Sequence, residues 1–166
     1  MRNAAAGIED GRSAQGLAAW RARAVVRGGW LARHGFERVE RREGGAGYVR
    51  LTSFRGSAAA RATAVAAIAH LADAQRLVLD LRRHSGGDAA MGALLTSLLF
   101  DTEPLYIDAL WRGGATLPVL APEARCARQR VEVLVSAATS GVGLAFASNL
   151  ERLGRATVRT APLSAA

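Results

Sequence analysis

The stretch Arg76-Leu77-Val78-Leu79-Asp80-Leu81-Arg82-Arg83-His84-Ser85-Gly86-Gly87-Asp88 decides how this chain reads. Leu77-Val78-Leu79 with Leu81 is a short apolar run of the kind found in buried parallel strands. Ser85-Gly86-Gly87-Asp88 breaks it. Met91, Leu94, Leu95, Leu98 and Leu99 then recur at i, i+3, i+4, i+7 and i+8, the spacing of a helix with one apolar face. Asp88 stands where a helix N-cap belongs. The stretch is therefore a strand, a sharp turn and a helix. Adjacent glycines after a strand expose backbone N–H groups, and the following helix points its positive end at the same place. Such a corner can be an ordinary turn. It can also hold a phosphate or an oxyanion developing on a carbonyl.

Working outward, the same alternation of patterns continues on both sides. Ala58 to Leu71 reads as a helix, with Ala62, Val65, Ala69 and Ala72 at helix spacing. Gly47 to Phe54 reads as a strand with Val49 and Leu51 on one side, and Gly44-Gly45 as a turn before it. Leu17 to Leu31 can form a helix, and residues 1–16 are small, polar and flexible. Toward the C-terminus, Leu105 to Trp111 alternates like a strand, residues 112–130 form a loop, and Val131 to Val135 is a second apolar strand. Thr139 to Gly143 is a turn. Val142, Phe146, Leu150 and Leu153 share one helix face, Gly154 ends that helix, and Ala156 to Thr160 is a last strand.

This order of strands and helices implies crossover units, hence an α/β domain with a mostly parallel sheet. The expected organisation is an N-terminal flexible segment and helix over 1–44 and a core domain over 45–166. Sites in such folds gather beyond the carboxyl ends of strands, which singles out the turns 84–88 and 139–143. In the second turn, Ser140 sits at a strand-to-helix corner, where a serine can be a nucleophile or simply a helix cap.

Bulk composition excludes several classes. The chain has 166 residues, enough for one domain, and a formal net charge of +8 with arginine as its only lysine-type cation. The densest cluster, Arg38, Arg41 and Arg42, is interleaved with Glu37, Glu40 and Glu43, which suits a solvated face better than a nucleic-acid stripe. Aromatic residues make up 5%, too few for a surface that stacks single-stranded bases. No nucleic-acid partner is expected. Cys126 is the only cysteine, so no intrachain disulfide can form, and His34, His70 and His84 follow no zinc spacing. No dinucleotide fingerprint or P-loop is present, and no cofactor or metal is expected. The sequence shows no secretory apolar segment and no run near the roughly 20 apolar residues of a membrane span. A cytoplasmic protein away from membranes is expected.

Four blocks in order carry a family resemblance: Gly47 to Phe54, Leu77 to Gly87, Val133 to Ser136, and Phe146 to Val158. Together they resemble the S41 serine-peptidase family, in its interphotoreceptor retinoid-binding-protein-like, tail-specific-protease branch. The resemblance implies the ClpP/crotonase-like superfold, a repeated ββα core with a mostly parallel sheet flanked by helices. It also implies that the loop running from Asp80-Leu81-Arg82 to Gly86-Gly87 supplies an oxyanion hole, here through Gly86 and Gly87. The asparagine-proline usual before the glycines is His84-Ser85 in this chain. Aligning on Phe146 without a gap places Gly141 at the family's nucleophile position and Leu144 at that of its glutamate. Ser140 lies one residue early. The serine–lysine mechanism needs a lysine, and arginine cannot replace it as a base because its guanidinium does not deprotonate.

These departures give the functional expectation: a degenerate, non-proteolytic S41-like protein that uses an oxyanion hole of Gly86, Gly87 and Gly141 on a carbonyl or acyl substrate. Isomerisation, cyclisation or lyase chemistry of a biosynthetic kind would suit such a site. His84 is the candidate general acid/base, because imidazole titrates near neutral pH, and Ser140 the second candidate catalytic residue. Asp88, Met91, Leu95 and Trp111 are the expected pocket walls, which suggests an apolar carbonyl-containing small molecule as ligand. Two alternatives stand beside this: a serine hydrolase or peptidase using Ser140, and a non-catalytic apolar-ligand-binding or scaffold subunit. A homo-oligomer is expected, to cover the sheet edges.

Overall fold

A computed structural model describes residues 32–101 and 126–163. Five strands and three helices follow one another: β1 (Phe36–Arg42), β2 (Ala46–Leu51), α1 (Ala58–His70), β3 (Arg76–Asp80), α2 (Ala89–Ser97), β4 (Arg130–Val135), α3 (Val142–Arg152) and β5 (Ala156–Thr160). They form one five-stranded sheet in the order β1-β2-β3-β4-β5. β1 runs antiparallel to β2, and the other three pairings are parallel. Right-handed crossovers between sequentially ordered parallel strands put all their helices on the same face. The neighbouring helices accordingly touch one another.

The face under the helices is the core. Val49 and Leu51, then Leu77, Leu79 and Leu81, then Val131, Val133 and Val135 alternate along their strands and are all buried. Phe36, Ile68, Met91, Leu95, Phe146 and Leu150 close over them. The alanines of α1 let that helix approach closely. A Cβ built on Gly47 of β2 would already stand 3.2 Å from the Leu71 side chain. Ser57 starts α1 by accepting the Ala60 N–H at 3.2 Å, and Asp88 starts α2 by accepting the Ala90 N–H at 2.9 Å.

The opposite face carries a polar network. The Tyr48 hydroxyl donates to Asp80 Oδ2 at 2.5 Å, and Arg50 Nε donates to the same carboxylate at 3.2 Å. Arg82 closes a two-pronged contact on Asp80, Nε to Oδ1 at 3.0 Å and a terminal nitrogen to Oδ2 at 2.8 Å. Burial alone would raise the Asp80 pKa, but Arg82 and Tyr48 outweigh it and hold this carboxyl well below the usual carboxylate range. Burial and the bond to Asp80 push the Tyr48 phenol up. The same Arg82 reaches the Pro162 carbonyl at 2.8 Å, tying the chain beyond β5 to the root of the 82–88 loop.

Two features differ from the sequence expectation. β1 lies in what reads as a charged N-terminal segment, upstream of the expected core boundary at residue 45. A register shift between Phe36 and Arg38 lets Phe36 and Val39, three residues apart, both pair with core-facing positions of β2. The bulge breaks the period-2 pattern that would have revealed the strand. The strand expected to run to Phe54 stops at Leu51, and Phe54 instead forms an isolated parallel bridge with Gly87. Cys126 stands in an arginine-rich stretch yet is fully buried, its thiol bonded to the Ile68 carbonyl and its pKa pushed up to about 12 by burial. The helix expected at Leu17–Leu31 and the strand expected at Leu105–Trp111 lie outside the described residues.

Candidate functional site

The two turns singled out by the sequence meet at the carboxyl ends of β3 and β4. The Thr139 hydroxyl donates to the Leu81 carbonyl at 2.8 Å, the Ser136 hydroxyl donates to the Arg82 carbonyl at 2.6 Å, and the Ser140 N–H donates to the His84 carbonyl at 3.1 Å. On its other side the 84–88 loop is held by the segment after β2. Ser85 N donates to Thr52 O, Phe54 N to Gly86 O and Asp88 N to Phe54 O, each at 2.9 Å. The loop is therefore fixed from both flanks. A Cβ placed on Gly141 would lie 3.6 Å from Gly86 Cα, which brings the two glycine corners into contact range.

His84 sits inside this construction and is fully buried. Its Nδ1 accepts the Gly86 N–H at 3.1 Å, so the ring proton belongs on Nε2. Nε2 has no hydrogen-bond partner among the described residues. The ring lies edge to face with Phe54, centroids 4.2 Å apart, and presses so closely on α3 that a Cβ at Gly143 would stand 2.2 Å from Nδ1. Burial lowers its pKa to about 4. At neutral pH the ring is uncharged, enclosed and engaged with its own loop. That is the geometry of a support, and it removes the expected footing for His84 as an acid/base facing a substrate. No hydrogen bond joins it to the Ser140 side chain.

The three glycines expected to form the oxyanion hole divide. The Gly86 N–H is closed on His84. Gly87, at φ +130, is held against the Phe54 backbone so tightly that a Cβ would come 2.1 Å from the Phe54 carbonyl oxygen. Its own N–H makes no hydrogen bond among the described residues. Gly141 is the N-cap of α3 at φ 57, ψ −134, a conformation essentially reserved for glycine. Its N–H is also without a partner there. The open donors are thus Gly87 and Gly141, at the positive ends of α2 and α3.

Ser140 is exposed, one residue before the apex of the corner, and its hydroxyl makes no hydrogen bond among the described residues. Asp88 caps α2, with its other oxygen 3.9 Å from an Arg61 nitrogen, and its side chain is about one third exposed. Met91 and Leu95 correct the expected pocket: each is 1% exposed and belongs to the core, since the face of α2 that bears them packs onto the sheet. Trp111 lies outside the described residues. Leu144, by contrast, is 47% exposed in the first turn of α3. The residues that stitch the turns, Ser136 and Thr139, escaped the sequence reading, as did Gly143 beneath the His84 ring. Only the spacing Ser136-x-x-Thr139-x-Gly141-x-Gly143 could have hinted at them. Among the described residues no group of three His, Cys, Asp or Glu side chains gathers to hold a metal, and no helix is long and apolar enough to cross a membrane.

A strand–glycine corner–helix unit thus occurs twice in an α/β fold with a mostly parallel sheet, and each corner carries an N–H without a partner among the described residues. The sequence profile of peptidase family S41 matches residues 45–159. The chain belongs to peptidase family S41. Among solved structures it is similar to the photosystem II D1 C-terminal processing protease, with a TM-score of 0.53 and 23% identity over 72% of this chain and 33% of that one. The chain thus spans about a third of that protease. It is also similar to a lipoprotein from Streptococcus agalactiae, with a TM-score of 0.48 and 12% identity over 73% of this chain and 47% of the other. A search of curated proteins finds no match.

Proposed function

We propose that this chain is a non-proteolytic S41-family protein that holds a carbonyl or carboxylate oxygen of an acyl ligand between the Gly87 and Gly141 N–H groups, without a covalent step. One observation carries the reading. The apex of the α3 corner is Gly141, in a strained conformation that an elbow reserves for its nucleophile, and it has no side chain to attack with. The buried His84 supports the same conclusion, because the one imidazole in the turns is engaged with Gly86 and stays neutral. Open N–H donors at two helix N-termini still favour negative charge on an oxygen placed between them. Isomerisation, cyclisation or lyase chemistry there would leave Asp88, about one third exposed, as the accessible carboxylate at the turns. Leu144, exposed in the first turn of α3, suits an apolar portion of the ligand.

The test is amide NMR with a short acyl carboxylate such as butyrate. Saturable shifts confined to Gly87, Gly141 and their neighbours are expected. Shifts absent there, or scattered over the arginine-bearing surface, would overturn the reading. A second reading is a serine hydrolase acting through Ser140. It is favoured by a hydroxyl that is exposed and makes no hydrogen bond among the described residues, beside those same donors.

A further inference from the structure

A second site lies at the opposite end of the strands, on the face away from the helices. Register places Arg42 opposite Ala46, Ala46 opposite Arg76 and Arg76 opposite Arg130. Directly paired residues on neighbouring strands point to the same face, with the strands about 4.8 Å apart. Strand alternation puts Arg76 with Val78 and Asp80, opposite Leu77 and Leu79. It puts Arg130 with Glu132 and Leu134, opposite Val131 and Val133. Two guanidinium-bearing side chains therefore rise side by side from the amino ends of β3 and β4, both exposed.

Like charges directly opposite in a sheet repel, and Arg50, Arg42 and Arg159 on this face each have an answer. Arg38 also faces an arginine, Arg50, but Arg50 is bonded to Asp80 and lies 3.7 Å from Glu37. Arg42 pairs with Glu40 and stacks on the Tyr48 ring, and Arg159 pairs with Glu132 at 2.7 Å. The guanidiniums of Arg76 and Arg130 make no hydrogen bond or ion pair among the described residues. Glu132, two residues from Arg130 on the same strand face, is engaged by Arg159. Glu43, in the turn before β2, makes no ion pair with either.

We propose that Arg76 and Arg130 form a clamp for a phosphate group, each guanidinium offering two parallel N–H donors to the same anion. Arginine forks match phosphate oxygens in this two-pronged way, and a dianion neutralises both charges at once. A second copy of the chain is a poor occupant, because at +8 it would bring more positive charge to the surface. The site is separate from the glycine crevice, which lies at the carboxyl ends of the same strands.

The experiment follows the Nε–H resonances of the arginines and the thermal midpoint during titration with inorganic phosphate and, separately, glycerol phosphate, at constant ionic strength set with chloride. Expected are saturable shifts of two arginine side chains, assigned by their disappearance in Arg76→Gln and Arg130→Gln. Affinity should fall at least tenfold in either variant and stay unchanged in Arg152→Gln, an exposed arginine at the end of α3. Equal response to both compounds identifies the phosphate group itself as the ligand, and response to the ester alone identifies an organic phosphate. Without ligand at low salt, Arg130→Gln should unfold at a higher temperature than the wild type, because the repulsion is gone. The proposal is overturned if phosphate acts equally on wild type and both variants. It is also overturned if duplex DNA binds saturably at these arginines while neither phosphate compound does.

Discussion

The two glycine corners look interchangeable in sequence and differ sharply in structure. In the 84–88 corner most of the polar atoms are turned inward: Gly86 N–H to the imidazole, Ser85 N–H and hydroxyl to the Thr52 carbonyl, Asp88 to the helix it caps. In the 136–143 corner the inward-facing work falls to Ser136 and Thr139, while Ser140 and Gly141 face outward. One corner is a rigid support with a single open N–H. The other presents, among the described residues, a hydroxyl and an N–H without partners at an apex in a glycine conformation. Gly87 thus serves close packing in the first corner, while in the second Gly141 forms an exposed apex and Gly143 packs under His84.

The sharpest way to break this contrast is to add a methyl group to each corner. In Gly87→Ala the new Cβ would meet the Phe54 carbonyl, a backbone atom that cannot swing aside, at a φ unsuited to alanine. A loss of about 3 kcal/mol or more is expected in denaturant unfolding. Gly141→Ala finds only ordinary contact at 3.6 Å, so its cost should be limited to backbone strain of roughly 1–3 kcal/mol. Equal losses for the two would mean that the corners are equally packed.

His84 gives a pH signature of similar size. Its pKa falls from 6.5 to about 4 on folding. Between those values the unfolded chain binds the extra proton and the native protein does not, so stability falls as pH is lowered through this window. The loss should total roughly 3 kcal/mol and be absent above pH 6.5. Asp80 acts lower: its carboxyl is depressed in the folded protein, so its contribution is present above about pH 4 and declines below that. His84→Asn should flatten the upper window while leaving the lower one.

Substitution at neutral pH follows. His84→Ala leaves a cavity beside Phe54 and an unbonded Gly86 N–H, for an expected loss of about 2–3 kcal/mol. His84→Asn keeps an acceptor and should cost less, which a purely space-filling role would not predict. The smallest effect belongs to the outward corner: Ser140→Ala should change stability by less than about 0.5 kcal/mol.

How much of this was legible follows from the same physics. The strands β3 and β4, the helices between and after them, and the placing of both turns at strand carboxyl ends were readable, because Leu77-Val78-Leu79, Val131 to Val135 and the leucines of α2 carry clean periodicities. The Asp88 cap was readable from position alone. β1 was hidden by its bulge and its arginines. His84 misled because an imidazole beside two glycines looks the same in sequence whether it faces a ligand or Gly143. Burial decides that, and burial depends on Phe54, thirty residues upstream, folding back onto Gly87. Met91 and Leu95 misled because their closeness to the loop in sequence says nothing about which side of α2 meets the sheet.

The central claim is that this crevice does no covalent chemistry. Its most direct test is intact-mass analysis after treatment with a fluorophosphonate, comparing wild type with Ser140→Ala. The account predicts no adduct on either protein. A single adduct on the wild type that is lost in Ser140→Ala would contradict it and make Ser140 an activated nucleophile.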